Sequence, residues 1–291
     1  MGLTKIEWTS FPRPDGTFMP GYTANLWWGC TKVHKGCDHC YAETLSNRWG
    51  FNVWGNDTPR KEIKNVWKDL DRYQRDAAAA GEMRSVFVGS MMDIFEKPMP
   101  LTNSKGELYE HVTTHDQRWR FFTMINDGHY SNLLFLLLTK RPSNINKYIP
   151  ESWKTNPPPN VMFGTSPVNQ ATANKLIPQL LEVKGKKFLS VEPQLGWVSL
   201  EEINKYSSEE INCLTGSATY STSEGVGAIG LGEKIDWVIV GGESGPGRRE
   251  FNPEWARQIR DQCNHYHIPF FMKQWDKVKE IPDDLLIRQF P

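Results

Sequence analysis

The feature that most limits the folds open to this chain is a repeated switch between short, unbroken apolar runs and amphipathic helical stretches. The runs lie at 24–29 (ANLWWG), 85–90, 133–139, 161–166, 187–192 and 236–242, with 269–274 as a closing element. A strand buried on both faces reads as a continuous apolar run, whereas a half-solvated strand alternates. Helical stretches separate them at 41–49, 66–80, 115–127, 170–183 and 253–267. In 170–183, Ala173, Leu176, Ile177, Leu180 and Leu181 share one face, with Pro178 as a place for a kink. In 253–267, Asn252 is placed to cap, Pro253 suits the first helical position, and Trp255, Ile259, Cys263 and Tyr266 form an apolar stripe. Strand, helix and parallel strand repeated six times predicts an α/β chain folded as a partial (β/α)6 TIM-like barrel. Residues 1–291 are expected to be one domain. Two stretches break the pattern: a polar loop at 97–112 and an insertion at 204–234, rich in Ser, Thr and Gly. A lid, a partner surface and a disordered insertion all suit a loop of that length.

Composition narrows the function classes. Thirty-four Lys plus Arg balance 34 Asp plus Glu, so no global field draws in nucleic acid or an anionic membrane, and any polyanion must meet a local patch. The longest purely apolar run, 133–138, has six residues where a membrane-spanning helix needs about 20, and no membrane partner is expected. The N-terminal MGLTKIEWTSFPRP lacks an apolar signal region, which points to the cytoplasm. The five cysteines are an odd number and three of them crowd into eleven residues, a pattern of metal binding in a reducing compartment rather than of a disulfide framework.

In a barrel of this kind the residues just beyond each strand build the site. The first such segment, GCTKVHKGCDHCY, carries Cys30-x6-Cys37-x2-Cys40. Three thiolates on a flexible loop can hold three irons of a [4Fe–4S] cluster and leave the fourth open to an exogenous ligand. The same loop also offers His34 and His39, and a Cys3His set suffices for a closed, structural zinc site, so both metals remain open on spacing alone. The later strands run into SMMD (90–93), TKRP (139–142), SPVNQ (166–170), EPQLG (192–196) and GGESGPGRRE (241–250). Lys140 and Arg141 suit a carboxylate or phosphate, as does the glycine-rich loop with Arg248 and Arg249. Plain turns, helix caps and solvated surface pairs are the competing readings of these segments. A conventional acid–base site on Asp93 and Glu192, independent of the cysteines, is a further one.

At the three-cysteine loop the sequence resembles the radical S-adenosylmethionine superfamily, where such a loop follows the first strand of a partial six-stranded (β/α) barrel. The usual spacing there is three residues and then two, so six and then two is a variant. More narrowly, the chain is similar to a phage- and prophage-borne group of three-Cys-motif proteins through IEWT (6–9), GCTKVHKGCDHCYAE (29–43), FVGSMMDIF (87–95), LLTKRP (137–142), FGTSPVNQ (163–170), LSVEPQLG (189–196), VIVGGESGPGRRE (238–250) and FFMKQW (270–275). LLTKRP also resembles the spore photoproduct lyase branch, which acts on a DNA base lesion.

The resemblance implies a [4Fe–4S] cluster on Cys30, Cys37 and Cys40 and reductive cleavage of S-adenosyl-L-methionine to a 5′-deoxyadenosyl radical. It places His39 near the adenine, Ser90 and Asp93 near the methionine amino group, and Lys140, Ser166, Glu192, Gly241, Gly242 and Glu243 among the cofactor contacts. It implies an electron donor such as flavodoxin or ferredoxin, and a nucleotide or nucleic-acid base as substrate. The other class of function is a non-enzymatic interaction module tied together by a Cys3His zinc site.

Overall fold

The apolar runs build one parallel sheet. The computed structural model describes residues 3–206, 209–222, 225–245 and 247–291. The main-sheet strands are β1 (Tyr22–Ala24), β2 (Arg84–Val88), β3 (Leu133–Thr139), β4 (Val161–Thr165), β5 (Lys186–Val191), β6 (Trp237–Gly241) and β7 (Phe270–Gln274). Their order in the sheet follows the chain, from β1 to β7. Every residue of β4 and β6 is buried, which is why these segments read as unbroken apolar runs.

This is not the expected partial (β/α)6 TIM-like barrel. The main sheet has seven strands, two further four-stranded sheets accompany it, and helices do not follow the strands one for one. Between β3 and β4 the only α-helix is the single turn Ile145–Tyr148, and between β5 and β6 the described chain forms strands instead of a helix.

The chain divides into two compact units, Met1–Met162 and Phe163–Pro291. The first holds β1 to β3 with helices α1 (Tyr41–Arg48), α2 (Val66–Ala79) and α3 (Thr114–Asn126). β1 pairs with β2 through Tyr22↔Val86 and Ala24↔Val88, and β2 pairs with β3 through Arg84↔Leu133 and Val88↔Leu137. Val66, Trp67, Leu70, Tyr73 and Ala77 put one face of α2 into the core, where Tyr73 stacks on Tyr22 at 3.9 Å between ring centroids. The run 24–29 is not one strand. Buried Asn25 breaks it by donating its amide to Ser90 Oγ (2.8 Å) and accepting the Met91 N–H (2.7 Å). Trp27–Trp28 then pairs antiparallel with Arg60–Glu62 in a second sheet.

That second sheet also contains Pro100–Thr102 and Leu108–Thr113, so the stretch expected as a polar loop at 97–112 is a hairpin. Its turn is organised by Asn103, whose side-chain oxygen accepts the N–H groups of Lys105 and Glu107, with Gly106 at a positive φ of 88°. No residue of Leu108–Thr113 is fully buried, so hydrophobicity does not mark the strand.

The second unit places α4 (Gln170–Leu181) between β4 and β5, and α5 (Pro253–His265) between β6 and β7. α4 keeps Pro178 inside it and starts with a capping box between Asn169 and Thr172. α5 starts with the Asn252 cap and Pro253 as expected, burying Ala256, Ile259 and Cys263. Between β5 and β6, strands Ile203–Tyr206, Glu209–Asn212, Ser217–Thr222 and Gly225–Gly230 form an antiparallel sheet. The expected loop insertion at 204–234 is therefore an ordered sheet, of which residues 207, 208, 223 and 224 lie outside the described ones, as does Pro246 of the glycine-rich loop. Buried Lys187 ties it to β5 by an ion pair with Glu233, while Asp236 accepts the Lys187 N–H at 2.7 Å. Gly216, at φ 70°, turns where a Cβ would stand 2.5 Å from the Glu233 carbonyl oxygen. Among the described residues no helix is long and apolar enough to cross a membrane.

Gly164 in β4 faces the ring of fully buried Phe188, and a Cβ there would lie 2.4 Å from the ring's Cζ. Gly164→Ala is expected to cost about 1–3 kcal/mol by overpacking. Urea unfolding checks this, and a variant as stable as the parent would show that the ring has room to move.

Candidate functional site

In the first unit the polar residues gather beyond β1, β2 and β3. Gly29 donates its N–H to the Met91 carbonyl at 3.2 Å and bridges to Met92, which fixes the root of the cysteine loop against the end of β2. Cys30 follows at once, its carbonyl accepting the Gly55 N–H at 3.1 Å. Cys37 closes a 3-10 turn, Lys35–Cys37, which His34 caps by accepting the Gly36 N–H on Nδ1. Cys40 is the N-cap residue of α1 and makes no side-chain cap bond. All three are free cysteines of intermediate exposure, the Cys30 sulfur itself lying buried, while Cys213 and Cys263 are buried throughout and burial pushes both thiols up.

Two ion pairs hold the loop's root. Arg60 is fully buried and makes a bidentate pair with Glu96 at 2.8 and 2.9 Å. Its Nη1 donates to the carbonyls of Val53 and Thr58, and its Nη2 to Thr31 Oγ1 at 2.9 Å. Burial pushes the Glu96 carboxyl up, with Arg60 pulling against it. The second pair is Arg141 with Asp93, at 2.7 Å. Arg141 also donates to the Thr31 carbonyl at 2.6 Å and stands 3.8 Å from Cys30 Sγ. Asp93 further accepts from Thr139 Oγ1 (2.7 Å) and from the N–H groups of Lys140 (3.1 Å) and Phe95 (3.0 Å). Burial, reinforced by the Asp93 charge, pushes the Cys30 thiol up to about 12, against the pull of Arg141.

Seven of the expected site residues thus belong to this unit. Cys30, Asp93 and Lys140 share one network, although Lys140 contributes its backbone N–H and its neighbour Arg141 supplies the charged contact. Ser90 accepts from Asn25 on Oγ and from the Tyr41 hydroxyl on its carbonyl. Cys37, Cys40 and exposed His39 lie farther along the loop. Among the described residues no three His, Cys, Asp or Glu side chains stand together as a ready metal group.

The remaining five lie in the second unit. Glu192 accepts from Lys273 Nζ at 2.6 Å on one oxygen, and its other oxygen, Oε1, is buried with no partner. Ser166, 1% exposed, has an unpaired Oγ just past β4. A Cβ on Gly241 would come 3.2 Å from Glu192 Oε1 and 3.4 Å from Gln274 Cγ, whereas one on Gly242 would strike the Trp275 carbonyl oxygen at 2.0 Å. Glu243 is buried and clasps Arg249 through its guanidinium at 2.6 and 3.1 Å and its N–H at 2.9 Å. Arg248 pairs with Asp276 at 2.9 Å. The arginines read from sequence as anion contacts, Arg141, Arg248 and Arg249, are therefore each matched by a carboxylate of the chain.

The family model described as "Protein of unknown function (DUF5131)" matches residues 3–284. The chain belongs to the DUF5131 family. No curated protein and no solved structure matches it.

In this DUF5131 chain sequence reading missed Asn25, Arg60 and Glu96, because their partners are 65 or 66 residues away for Asn25 and 36 for the ion pair, with no periodic signal between them. It also passed over Gln194 and Gln274, whose side-chain oxygens are buried without a partner. Arg60→Met, which strands Glu96 in the interior, is expected to destabilise the protein by about 3–5 kcal/mol. Adding Glu96→Leu should recover only part of that loss, since the Val53 and Thr58 carbonyls still lack their donor. Chemical denaturation of both variants measures it, and a negligible effect of Arg60→Met would remove the pair from its anchoring role.

Proposed function

We propose that the DUF5131 chain is a radical S-adenosylmethionine enzyme whose [4Fe–4S] cluster is held by Cys30, Cys37 and Cys40. The observation that carries this reading is the rooted three-thiol loop: Cys30 and Thr31 are fixed by Arg141 and Arg60, while Cys37 and Cys40 follow on a short turn and a helix cap. Soft thiols are the donors that an iron–sulfur cluster takes, and three of them leave one iron open. When bound, the cluster would supply the electron that cleaves S-adenosylmethionine into methionine and a 5′-deoxyadenosyl radical.

The chain's own residues position that loop. Asp93 accepts four hydrogen bonds and so acts by holding Arg141 rather than by touching a ligand. Burial works against the charge on Arg141, and Asp93 outweighs it, so the guanidinium stays cationic beside the Cys30 sulfur. A cation there offsets part of the negative charge that three thiolates bring. The electron donor is of the flavodoxin or ferredoxin class, the location is the cytoplasm, where thiols stay reduced, and the substrate class is a nucleotide or nucleic-acid base, by the likeness of LLTKRP to the lyase branch.

Anaerobic reconstitution with iron and sulfide, metal analysis and electron paramagnetic resonance test this. About four irons per chain are expected, with a reduced-cluster signal that shifts on adding S-adenosylmethionine and is lost in the Cys30/Cys37/Cys40→Ala variant. One zinc without iron would replace the reading with the structural Cys3His site. Arg141→Gln is expected to keep the fold by circular dichroism yet lose most of its iron on gel filtration. Full iron retention in that variant would show that Arg141 does not secure the loop.

A further inference from the structure

The second unit carries four buried polar atoms at strand ends that its described residues do not satisfy. Ser166 Oγ, Glu192 Oε1, Gln194 Oε1 and Gln274 Oε1 are all buried without a hydrogen-bond partner among the described residues. Ser166 and Gln194 are each 1% exposed, and Gln274 9%. Each residue stands at or just past the C-terminal end of β4, β5 or β7, the rim where parallel sheets bind ligands. Two hydrogen bonds draw Gln194 and Gln274 to the end of β6: the Gln194 N–H donates to the Gly241 carbonyl at 2.9 Å, and Gln274 Nε2 to the Gly242 carbonyl at 2.8 Å. Gly241 has no Cβ where one would press on Glu192 Oε1 and Gln274 Cγ.

The chemistry of the set is one-sided. Gln274 and Gln194 each commit one N–H of the NH2 to a backbone carbonyl, Gly242 for one and Gly196 (3.3 Å) for the other, which orients the amides and identifies the oxygens as the atoms without a partner among the described residues. Glu192 contributes a carboxylate oxygen, and the Lys273 ammonium on its other oxygen balances its charge. The unmet demand is therefore for several hydrogen-bond donors on a neutral group, with Ser166 able to serve either way. Among nucleobases, guanine alone offers adjacent ring N–H and NH2 donors. The amino group of adenine lies between two ring acceptors and that of cytosine beside one, which would face these oxygens, and the single Watson–Crick-edge N–H of uracil lies between two carbonyls.

We infer that the second unit binds the N–H donor edge of a guanine base through Glu192, Gln194 and Gln274. The inference rests on the nucleotide or base substrate class proposed above and needs none of the cysteines. Arginine carries a similar guanidine edge but adds a charge that nothing in this set calls for, so it serves as a control.

Titration calorimetry of the full chain with guanosine, adenosine, cytidine, uridine and L-arginine tests this. Guanosine is expected to bind about tenfold or more tightly than the other nucleosides, a step of one well-made buried hydrogen bond, and L-arginine more weakly than guanosine. Glu192→Gln and Gln194→Met should each weaken guanosine about tenfold. Gly241→Ala, which fills the space between Glu192 and Gln274 from the backbone side, should do the same while leaving the thermal midpoint close to that of the parent. Equal affinity for all the nucleosides, tighter binding of L-arginine, or no binding at millimolar concentration would overturn the inference. So would Gln194→Met raising thermal stability without changing any affinity, since the unpaired oxygens would then be a cost to the fold and not a site. Failure here leaves the iron content and the resonance signal of the first unit untouched, so the two readings fall separately.

Discussion

The first unit is organised by one buried ion pair. Taking Arg60 and Glu96 out of water costs several kcal/mol for each ion, and only close geometry with every donor occupied offsets that. The pair meets the condition on the Arg60 side: two contacts go to Glu96, two to the carbonyls of Val53 and Thr58, and one to Thr31 Oγ1. These contacts bring four distant segments to one point. Residues 53–58 fold back over the cysteine loop, Arg60–Glu62 becomes a strand beside Pro100–Thr102, and Glu96 anchors the chain that leaves β2. Gly29 completes the arrangement, because a Cβ there would strike the Val53 carbonyl oxygen at 2.2 Å and Arg60 Cδ at 2.7 Å. The approach of 53–60 to the loop therefore needs glycine at that position.

The second pair, Arg141 with Asp93, connects that scaffold to sulfur. Asp93 satisfies the end of β3 through Thr139 and Lys140 and orients a guanidinium toward Cys30 and the Thr31 carbonyl. Thr31 is thus gripped from both sides, by Arg60 on its hydroxyl and by Arg141 on its carbonyl. The loop is stiff where it leaves the sheet. Farther along, Cys37 and Cys40 are carried on local turns whose hydrogen bonds are short-range, such as Cys37 N–H to the His34 carbonyl at 2.8 Å.

What could be read from sequence follows the range of the interaction that carries it. β3 was expected at 133–139 and forms there, because burial on both faces leaves an apolar run. The Asn252 and Pro253 start of α5 is local chemistry within three residues. The same logic fails where a strand is exposed or rich in glycine: Leu108–Thr113 and Gly225–Gly230 show no buried run, so both read as loop in sequence. The regular six-fold alternation was over-read for a related reason, since an apolar run says nothing about whether a helix or a sheet follows it. In the cysteine loop the thiol spacing was visible, but Asn25, Arg60 and Glu96, which shape its surroundings, act across dozens of residues. Lys140 and Arg141 read alike in sequence, since adjacency does not tell which side chain turns toward Asp93; the structure turns Arg141.

The two units handle buried polar groups in different ways. In the first, the buried side-chain atoms of Trp27, Gln117 and Arg118 that lack a partner among the described residues lie on the strand Trp27–Trp28 and on helix α3. In the second they collect at the ends of neighbouring strands and are mostly of one kind, acceptor oxygens. A buried acceptor left without a donor costs about 1–3 kcal/mol, and swapping a glutamine for an apolar residue would remove that cost. The expense is repeated at Glu192, Gln194 and Gln274, while the amide nitrogens of both glutamines are bonded to nearby backbone carbonyls. Satisfying one end of each amide and leaving the other bare presents acceptors in a fixed direction, which is what a group that supplies donors from outside the chain requires.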